Sequence, residues 1–246
     1  MLNLGTNKQG LIVYDGVSST DYGIVVSEAP SFDKPQRKSS VFNVPGRNGS
    51  VLFQEDAYND VTRSYKVFLT DNARNNLNEV VNRFTDWLYS VRGYQRLEDS
   101  FEPDIFRLAY FSGGQNFSNE MMQAGETTLQ FTCRPERFFK SGETEITVSN
   151  GDKLVNATNY TAKPLIYIEV PAEETVTVSI GGKSIVANVD DYIYIDSERM
   201  NAYRTAAENM NSEVSGTFPT IAPGENGIGI TGTVTKVTII PRYFTI

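Results

Sequence analysis

The chain has 246 residues, 39% of them hydrophobic and 21% charged, which suits a folded protein with one large domain or two of ordinary size. Its net charge of -8 opposes binding to nucleic acid, and the basic stretch 34–38 carries only three positive charges. No apolar run approaches the roughly 18 residues of a membrane span. We therefore expect neither a nucleic acid nor a membrane as a partner.

Side chains suited to catalysis are scarce. The chain has no histidine and one cysteine, Cys133, which removes the commonest general base, the Ser-His and Cys-His nucleophile pairs and a cysteine-rich zinc site. Cys133 most simply serves as a small buried apolar residue. Adjacent carboxylates such as Glu98–Asp99 would point to opposite faces of a strand, although a pair assembled from distant residues stays open. We predict no catalytic residue, no metal site and no cofactor, and we predict that the chain is not an enzyme.

The first half of the chain alternates apolar and polar residues between turn residues, which predicts short strands. These strands are expected at 11–14, 23–26, 39–44, 50–54, 61–70, 94–97, 105–111 and 127–133. Asn48–Gly49 lies between two apolar runs and indicates a hairpin, because both residues tolerate positive φ. Pro135 should end regular pairing, because proline cannot donate to a strand ladder.

One segment, from residue 71 to about 90, has helical periodicity. Its apolar residues recur every three or four positions, which places them on one face of a helix. They are Leu77, Val80, Val81, Phe84, Trp87, Leu88 and Val91. Thr70 or Asp71 is the predicted N-cap, and Gly93 follows near the expected end. We predict a single helix that covers one face of a sheet.

The polar stretch 140–145 predicts a boundary between an N-terminal domain, 1–140, and a C-terminal domain, 141–246. Strands of the second domain are expected at 145–148, 165–170, 175–180, 183–187, 191–196 and 234–240. Gly181–Gly182 should form a two-residue hairpin, whereas residues 198–210 could form a helix or a strand followed by a loop. The predicted fold is mainly β, with two β-sandwich-type domains, the second resembling a jelly roll.

The closing segment, 218–246, contains a literal G-x-G-x-x-G at 227–232. A dinucleotide site needs this loop to open a helix, whereas residues 233–240 are β-branched and typical of a strand. We interpret the glycines as turn or bulge positions at a β edge.

The chain resembles the distal tail proteins (Dit) of siphophages along nearly its whole length. The resemblance rests on several short motifs and on their order. The hairpin 44–52 is similar to the Gly-Arg-x-Gly turn of that family. The other motifs are Asp86-Trp87-Leu88, Leu97-Glu98-Asp99, Phe106-Arg107-Leu108-Ala109, Phe131-Thr132-Cys133-Arg134-Pro135, Ile195-Asp196-Ser197-Glu198 with Tyr203, and Phe218-Pro219 with Pro223-Gly224 and Asn226.

The resemblance implies a structural virion protein at the phage tail tip. Members of the family form a ring, usually a hexamer, through an N-terminal β-sandwich domain with a helix and an extended hairpin. Their C-terminal domain is galectin-like. The implied partners are further copies of the chain, the tail tube protein, the hub or tail-associated lysin, and tape-measure and receptor-binding proteins. Assembly would take place in the cytoplasm of the host bacterium.

The tip of the predicted hairpin is the candidate ring or tube interface. Its residues are Pro45, Gly46, Arg47, Asn48 and Gly49. Strand edges offer unpaired backbone groups that a neighbouring copy can complete. An ordinary hairpin packed within its own domain is an equal alternative.

A second functional hypothesis is a carbohydrate-binding module that recognises host cell-wall polysaccharide. It rests on tyrosines of the second domain that could stack on sugar rings: Tyr160, Tyr167, Tyr192, Tyr194 and Tyr203. Tyr192 and Tyr194 should share one face of a strand, although such tyrosines also pack in cores.

Overall fold

The computed structural model of the chain describes residues 10–31, 34–70, 77–113 and 126–246. The described residues are mainly β with one α-helix, which confirms the predicted fold class. They form two compact units, one ending at Arg137 and including Ile246, the other running from Phe138 to Thr245. The boundary predicted after residue 140 stays a prediction.

The first unit is built on one curled sheet. Its elements are β1 (Ile12–Tyr14), β2 (Val17–Ser18), β3 (Ile24–Val26), β4 (Arg37–Phe42), β5 (Val51–Tyr58), β6 (Val61–Leu69), α1 (Leu77–Ser90), β7 (Gln95–Asp99), β8 (Ile105–Phe111) and β9 (Glu126–Phe139). The sheet follows the order β2-β1-β7-β8-β9-β6-β3, whereas β4 and β5 form a separate two-stranded sheet.

Helix α1 covers the core of this unit with one face. Val81, Phe84, Trp87 and Leu88 are buried, and the Trp87 ring stacks on Tyr22 with centroids 5.2 Å apart. The helix therefore follows the predicted periodicity from residue 77 onward, while its predicted start at 71–76 lies outside the described residues. Gly93 adopts φ 71° after the helix, as its position suggested.

Cys133 lies in the same core and is 1% exposed. Burial raises the pKa of its thiol to about 11, so the side chain is a neutral, apolar group at physiological pH. This agrees with its predicted packing role.

Strand β9 continues through Pro135, so its predicted end at Cys133 is wrong, although its regular pairing with β6 does end there as predicted. Its pairing with β6 ends at Cys133, which lies opposite Val61. The missing N–H of Pro135 therefore removes no hydrogen bond to β6, and the strand can continue to Phe139.

The second unit is a β-sandwich. Its strands are β10 (Ile146–Thr147), β11 (Lys153–Asn156), β12 (Leu165–Glu169), β13 (Glu174–Ile180), β14 (Lys183–Val189), β15 (Tyr192–Asp196), β16 (Asn201–Thr205), β17 (Glu208–Asn209), β18 (Val214–Gly216), β19 (Gly224–Thr231), β20 (Lys236–Ile240) and β21 (Phe244–Thr245). One sheet has the order β10-β20-β12-β15-β16-β17 and the other β11-β19-β13-β14-β18. Buried side chains of both sheets form one core, and the galectin-like assignment stays a prediction.

Residues 181–182 and 198–210 of this unit each carry a local prediction from the sequence. Gly181 and Gly182 have φ 57° and 85° and join β13 to β14, which confirms the two-residue hairpin. Residues 198–210 contain β16 and, after a turn, β17, so the helix alternative is wrong, and a second short strand forms where the other alternative expected a loop.

The G-x-G-x-x-G stretch lies in β19 and does not open a helix. Strand β19 pairs with β11 and β13 on its two sides, so the interpretation of these glycines as an edge is wrong. A Cβ at Gly229 would lie 2.4 Å from Ser179 Oγ, and Gly232 has φ 97° just after the strand. Close packing and a left-handed turn therefore account for these two glycines.

We predict that Phe84→Ala lowers the free energy of unfolding of the first unit by about 3 to 5 kcal/mol, because a fully buried ring would leave a cavity between α1 and the sheet. Asn82→Ala, on the exposed side of the same helix, should change it by less than about 0.5 kcal/mol. Denaturant unfolding measures both, and similar losses would contradict the packing of α1.

Candidate assembly surface

Strands β4 and β5 form a hairpin that is separate from the main sheet of the first unit. The two strands are antiparallel, and the opposed residues nearest the tip are Phe42 and Val51, Val41 and Leu52, and Ser40 and Phe53. Because successive side chains alternate between faces, Phe42 and Phe53 share one face and Val41 and Leu52 occupy the other.

The chain reverses at Pro45–Gly46. Arg47 N–H donates to the Val44 carbonyl at 3.2 Å, and Gly46 adopts φ 76°, as a type II turn with proline in its second position requires. The predicted reversal at Asn48–Gly49 is therefore wrong in position: Gly49 has φ 79°, but Asn48 does not adopt positive φ. Residues 45–49 are all exposed at the tip of the hairpin.

Polar contacts link β4 to β5 at the end of the hairpin remote from the tip. Arg37 Nη1 lies 3.0 Å from Asp56 Oδ1, and Arg37 Nη2 donates to the Tyr58 hydroxyl at 2.8 Å. The guanidinium also lies 4.9 Å from the centroid of the Tyr58 ring. These contacts orient the two strands at the end remote from the tip.

The tip exposes apolar side chains on both faces. Phe42 and Phe53 are each 59% exposed, and on the opposite face Val41 is 62% and Leu52 56% exposed. A two-stranded hairpin is marginally stable by itself in water, and contiguous exposed apolar side chains mark interaction sites. The tip is therefore the strongest candidate for an assembly surface in the described part of the chain.

A largely buried cluster of charges lies in the first unit. It joins Arg63, Arg107 and Arg137 to the carboxylates of Asp99 and Glu102. Arg63 Nη2 lies 3.2 Å from Asp99 Oδ2 and 3.0 Å from Glu102 Oε2, and Arg107 Nη2 lies 2.5 Å from Glu102 Oε2. No local sequence pattern predicts this cluster, because its members come from β6, β7, β8, β9 and the loop after β7.

The protonation states in this cluster are set by competing effects. Burial alone would raise the pKa of Glu102, but the hydrogen bond from Arg107 and the positive charges of Arg107, Arg137 and Arg63 outweigh it and lower this pKa. Glu102 is therefore a carboxylate at neutral pH. Each of the two carboxylates lies within ion-pair distance of at least one guanidinium group.

Four of the five tyrosines singled out in the second unit meet on the outer face of one sheet. Tyr194 lies directly opposite Tyr167 on one side and Tyr203 on the other, with ring centroids 5.0 and 5.4 Å away. Tyr192 is 6.0 Å from Tyr194 on the same strand and face. Tyr160 lies elsewhere and stacks on Phe244.

Among the described residues, no group of three or more His, Cys, Asp or Glu side chains could hold a metal ion. None of the described helices combines the length and apolarity of a membrane-spanning segment.

Residues 17–133 match the family described as phage tail protein RIFT-related domain. That range contains the helix, the hairpin and four residues of the charge cluster, Arg63, Asp99, Glu102 and Arg107. The predicted resemblance to siphophage tail proteins is confirmed.

Two solved structures share the fold. The Dit protein of phage SPP1, described as a paradigm of the hub adsorption apparatus in phages that infect Gram-positive bacteria, has a TM-score of 0.68. At 14% identity, that match covers 96% of this chain and 99% of the SPP1 chain. The baseplate of phage P2 in its activated conformation with Ca contains a chain with a TM-score of 0.50 and 12% identity, covering 94% of this chain and 96% of that one. Among curated protein sequences, none matches significantly.

We predict that Glu102→Gln lowers the free energy of unfolding of the first unit by about 3 kcal/mol at neutral pH, because it removes a negative charge that faces the buried guanidinium groups of Arg63 and Arg107 and the partly buried one of Arg137. In the wild type, the stabilisation that ionised Glu102 contributes is fully present above the ordinary pKa of a glutamate side chain, because the pKa of Glu102 is lower in the folded protein than in the unfolded chain. It is lost as the pH falls through the folded pKa.

Denaturant unfolding between about pH 6 and pH 3 measures this effect. The difference between wild type and Glu102→Gln should shrink as the pH falls, whereas the exposed control Glu79→Gln should stay close to wild type throughout. A pH-independent difference would contradict the ionised state of Glu102.

Proposed function

We propose that this chain is a structural virion protein of a siphophage tail tip and that it assembles with further copies of itself into a ring, usually six in the family it resembles. The ring would join the tail tube to the hub or tail-associated lysin and to baseplate or host-binding proteins. The phage tail domain at 17–133 and the fold shared with the SPP1 Dit protein support this proposal. The chain would act through protein contacts rather than through chemistry.

The exposed hairpin tip is the observation that carries the proposal. Full burial of a phenylalanine side chain contributes about 1.5 to 3 kcal/mol, and Phe42 and Phe53, each 59% exposed, forgo roughly half of it. A neighbouring copy that covers these side chains recovers this free energy. Both strands of the hairpin are also edges, so their outward backbone groups can pair with another strand.

The distribution of apolar side chains on the hairpin suggests how copies would meet. A hairpin that lay on a flat surface would need apolar side chains on one face only. Here Val41 and Leu52 are exposed on one face of the hairpin, and Phe42 and Phe53 are exposed on the other. The tip therefore suits insertion between two protein surfaces. Repeated contact of this head-to-tail kind closes into a ring when its rotation divides a full turn.

We predict that replacing the exposed apolar side chains on either face of the tip by serine dissociates the ring. Phe42→Ser with Phe53→Ser removes one face, and Val41→Ser with Leu52→Ser removes the other. Sedimentation velocity and negative-stain images of the purified protein should show rings for wild type and monomers for both double variants, with circular dichroism unchanged, because these residues lie outside the core.

Gln54→Ser is the matched control, since Gln54 is an exposed polar residue of β5 on the same hairpin. It should leave the ring intact. Wild-type protein that stays monomeric at high concentration, or rings that survive both double variants, would contradict the proposal.

A further inference from the structure

The outer face of the six-stranded sheet carries a continuous row of side chains. Strand register places Thr238 of β20, Tyr167 of β12, Tyr194 of β15 and Tyr203 of β16 directly opposite one another. Their neighbours along the strands, such as Ile193, are buried in the core, so the row faces away from it. The row thus crosses four adjacent strands on one face.

A groove follows part of this row. Its volume is about 230 Å³, and it is lined mainly by Leu165, Tyr167, Glu169, Tyr194, Lys236 and Thr238. Pockets for drug-sized ligands usually have about 300 to 1,000 Å³, so this groove suits a single ring-sized group.

Thr238 has an unusual environment for a polar residue. It is 3% exposed, and its Oγ1 is buried without a hydrogen-bond partner in the described part of the chain. Such a hydroxyl is destabilising unless a partner reaches it. Thr238 lines the groove, and rotation of its side chain to another staggered rotamer would turn Oγ1 toward a ligand bound there.

The remaining lining residues restrict the ligand. Tyr167 donates to Glu169 Oε2 at 3.0 Å, and burial, this hydrogen bond and the charge of Glu169 raise the pKa of Tyr167 to about 12, so it stays a neutral phenol. Glu145 and Glu169 outnumber the one cation, Lys236, which disfavours an anionic polymer. A purely apolar ligand would leave Thr238 Oγ1 unpaired.

We propose that this groove binds an uncharged pyranose unit of a polysaccharide. A sugar ring combines apolar C–H surfaces, which can pack against Tyr167 and Tyr194, with hydroxyls that can pair with Thr238 and Glu169. The tyrosine rings tilt against one another by 49°, so they form a wall of the groove rather than a flat platform. A peptide strand would pair at a sheet edge, whereas the groove lies on the face of β20, β12 and β15.

The test uses the full chain and saturation-transfer NMR with methyl glycosides of glucose, galactose, N-acetylglucosamine and rhamnose. Polyglycerol phosphate serves as the charged probe. At least one neutral glycoside should show saturation transfer, and Thr238→Val should weaken its binding by about tenfold, because the variant removes the hydroxyl that the sugar satisfies. The same variant should leave the free energy of unfolding unchanged or raise it, because no internal hydrogen bond is lost.

Thr177→Val is the matched control, since Thr177 lies on β13 of the other sheet and outside the groove lining. It should bind sugar as wild type does. Absence of saturation transfer from all four glycosides, binding by the charged polymer only, or unchanged binding by Thr238→Val would overturn the inference. None of these results bears on ring formation, which depends on the hairpin.

Discussion

The exposed apolar tip of the β4–β5 hairpin is the constraint on which this account of the protein depends. Two strands alone cannot bury side chains that point to both of their faces, so the tip is left in contact with water unless another surface covers it. Elsewhere in the described chain, large apolar residues mostly lie in two well-formed cores. Within the described residues, the hairpin therefore differs from the two cores in leaving large apolar side chains exposed on both of its faces.

The hairpin is joined along the chain to the main sheet of the first unit through β6. Arg37 links β4 to β5 through Asp56 and Tyr58, and β6, which follows β5, carries Arg63 into the buried charge cluster. Removing one member of such a cluster is costly, because the remaining charges stay buried. The cluster thus links strands of the main sheet, whereas the exposed side chains of the hairpin contribute little to the fold of the single chain.

Local features of this protein could be predicted from its sequence, whereas contacts between distant segments could not. The spacing of Phe84, Trp87 and Leu88 identifies the helix, and Gly181–Gly182 identifies a turn, because each signal lies within a few residues. The hairpin itself was predictable, but its turn lies at Pro45–Gly46 and not at Asn48–Gly49. Both pairs are turn-forming and lie within five residues, so local sequence does not decide between them. The charge cluster and the row from Thr238 to Tyr203 depend on pairing between remote strands, which no local pattern encodes.

Hydrogen exchange of the hairpin amides in the purified wild-type protein tests the central claim most directly. An uncovered two-stranded hairpin opens readily, so its amides exchange fast even where they pair across strands. If neighbouring copies cover the tip, residues 39–42 and 51–54 should be protected about as strongly as the core strand β6. Exchange of these amides as fast as in an exposed loop would show that nothing covers the hairpin and would contradict the account.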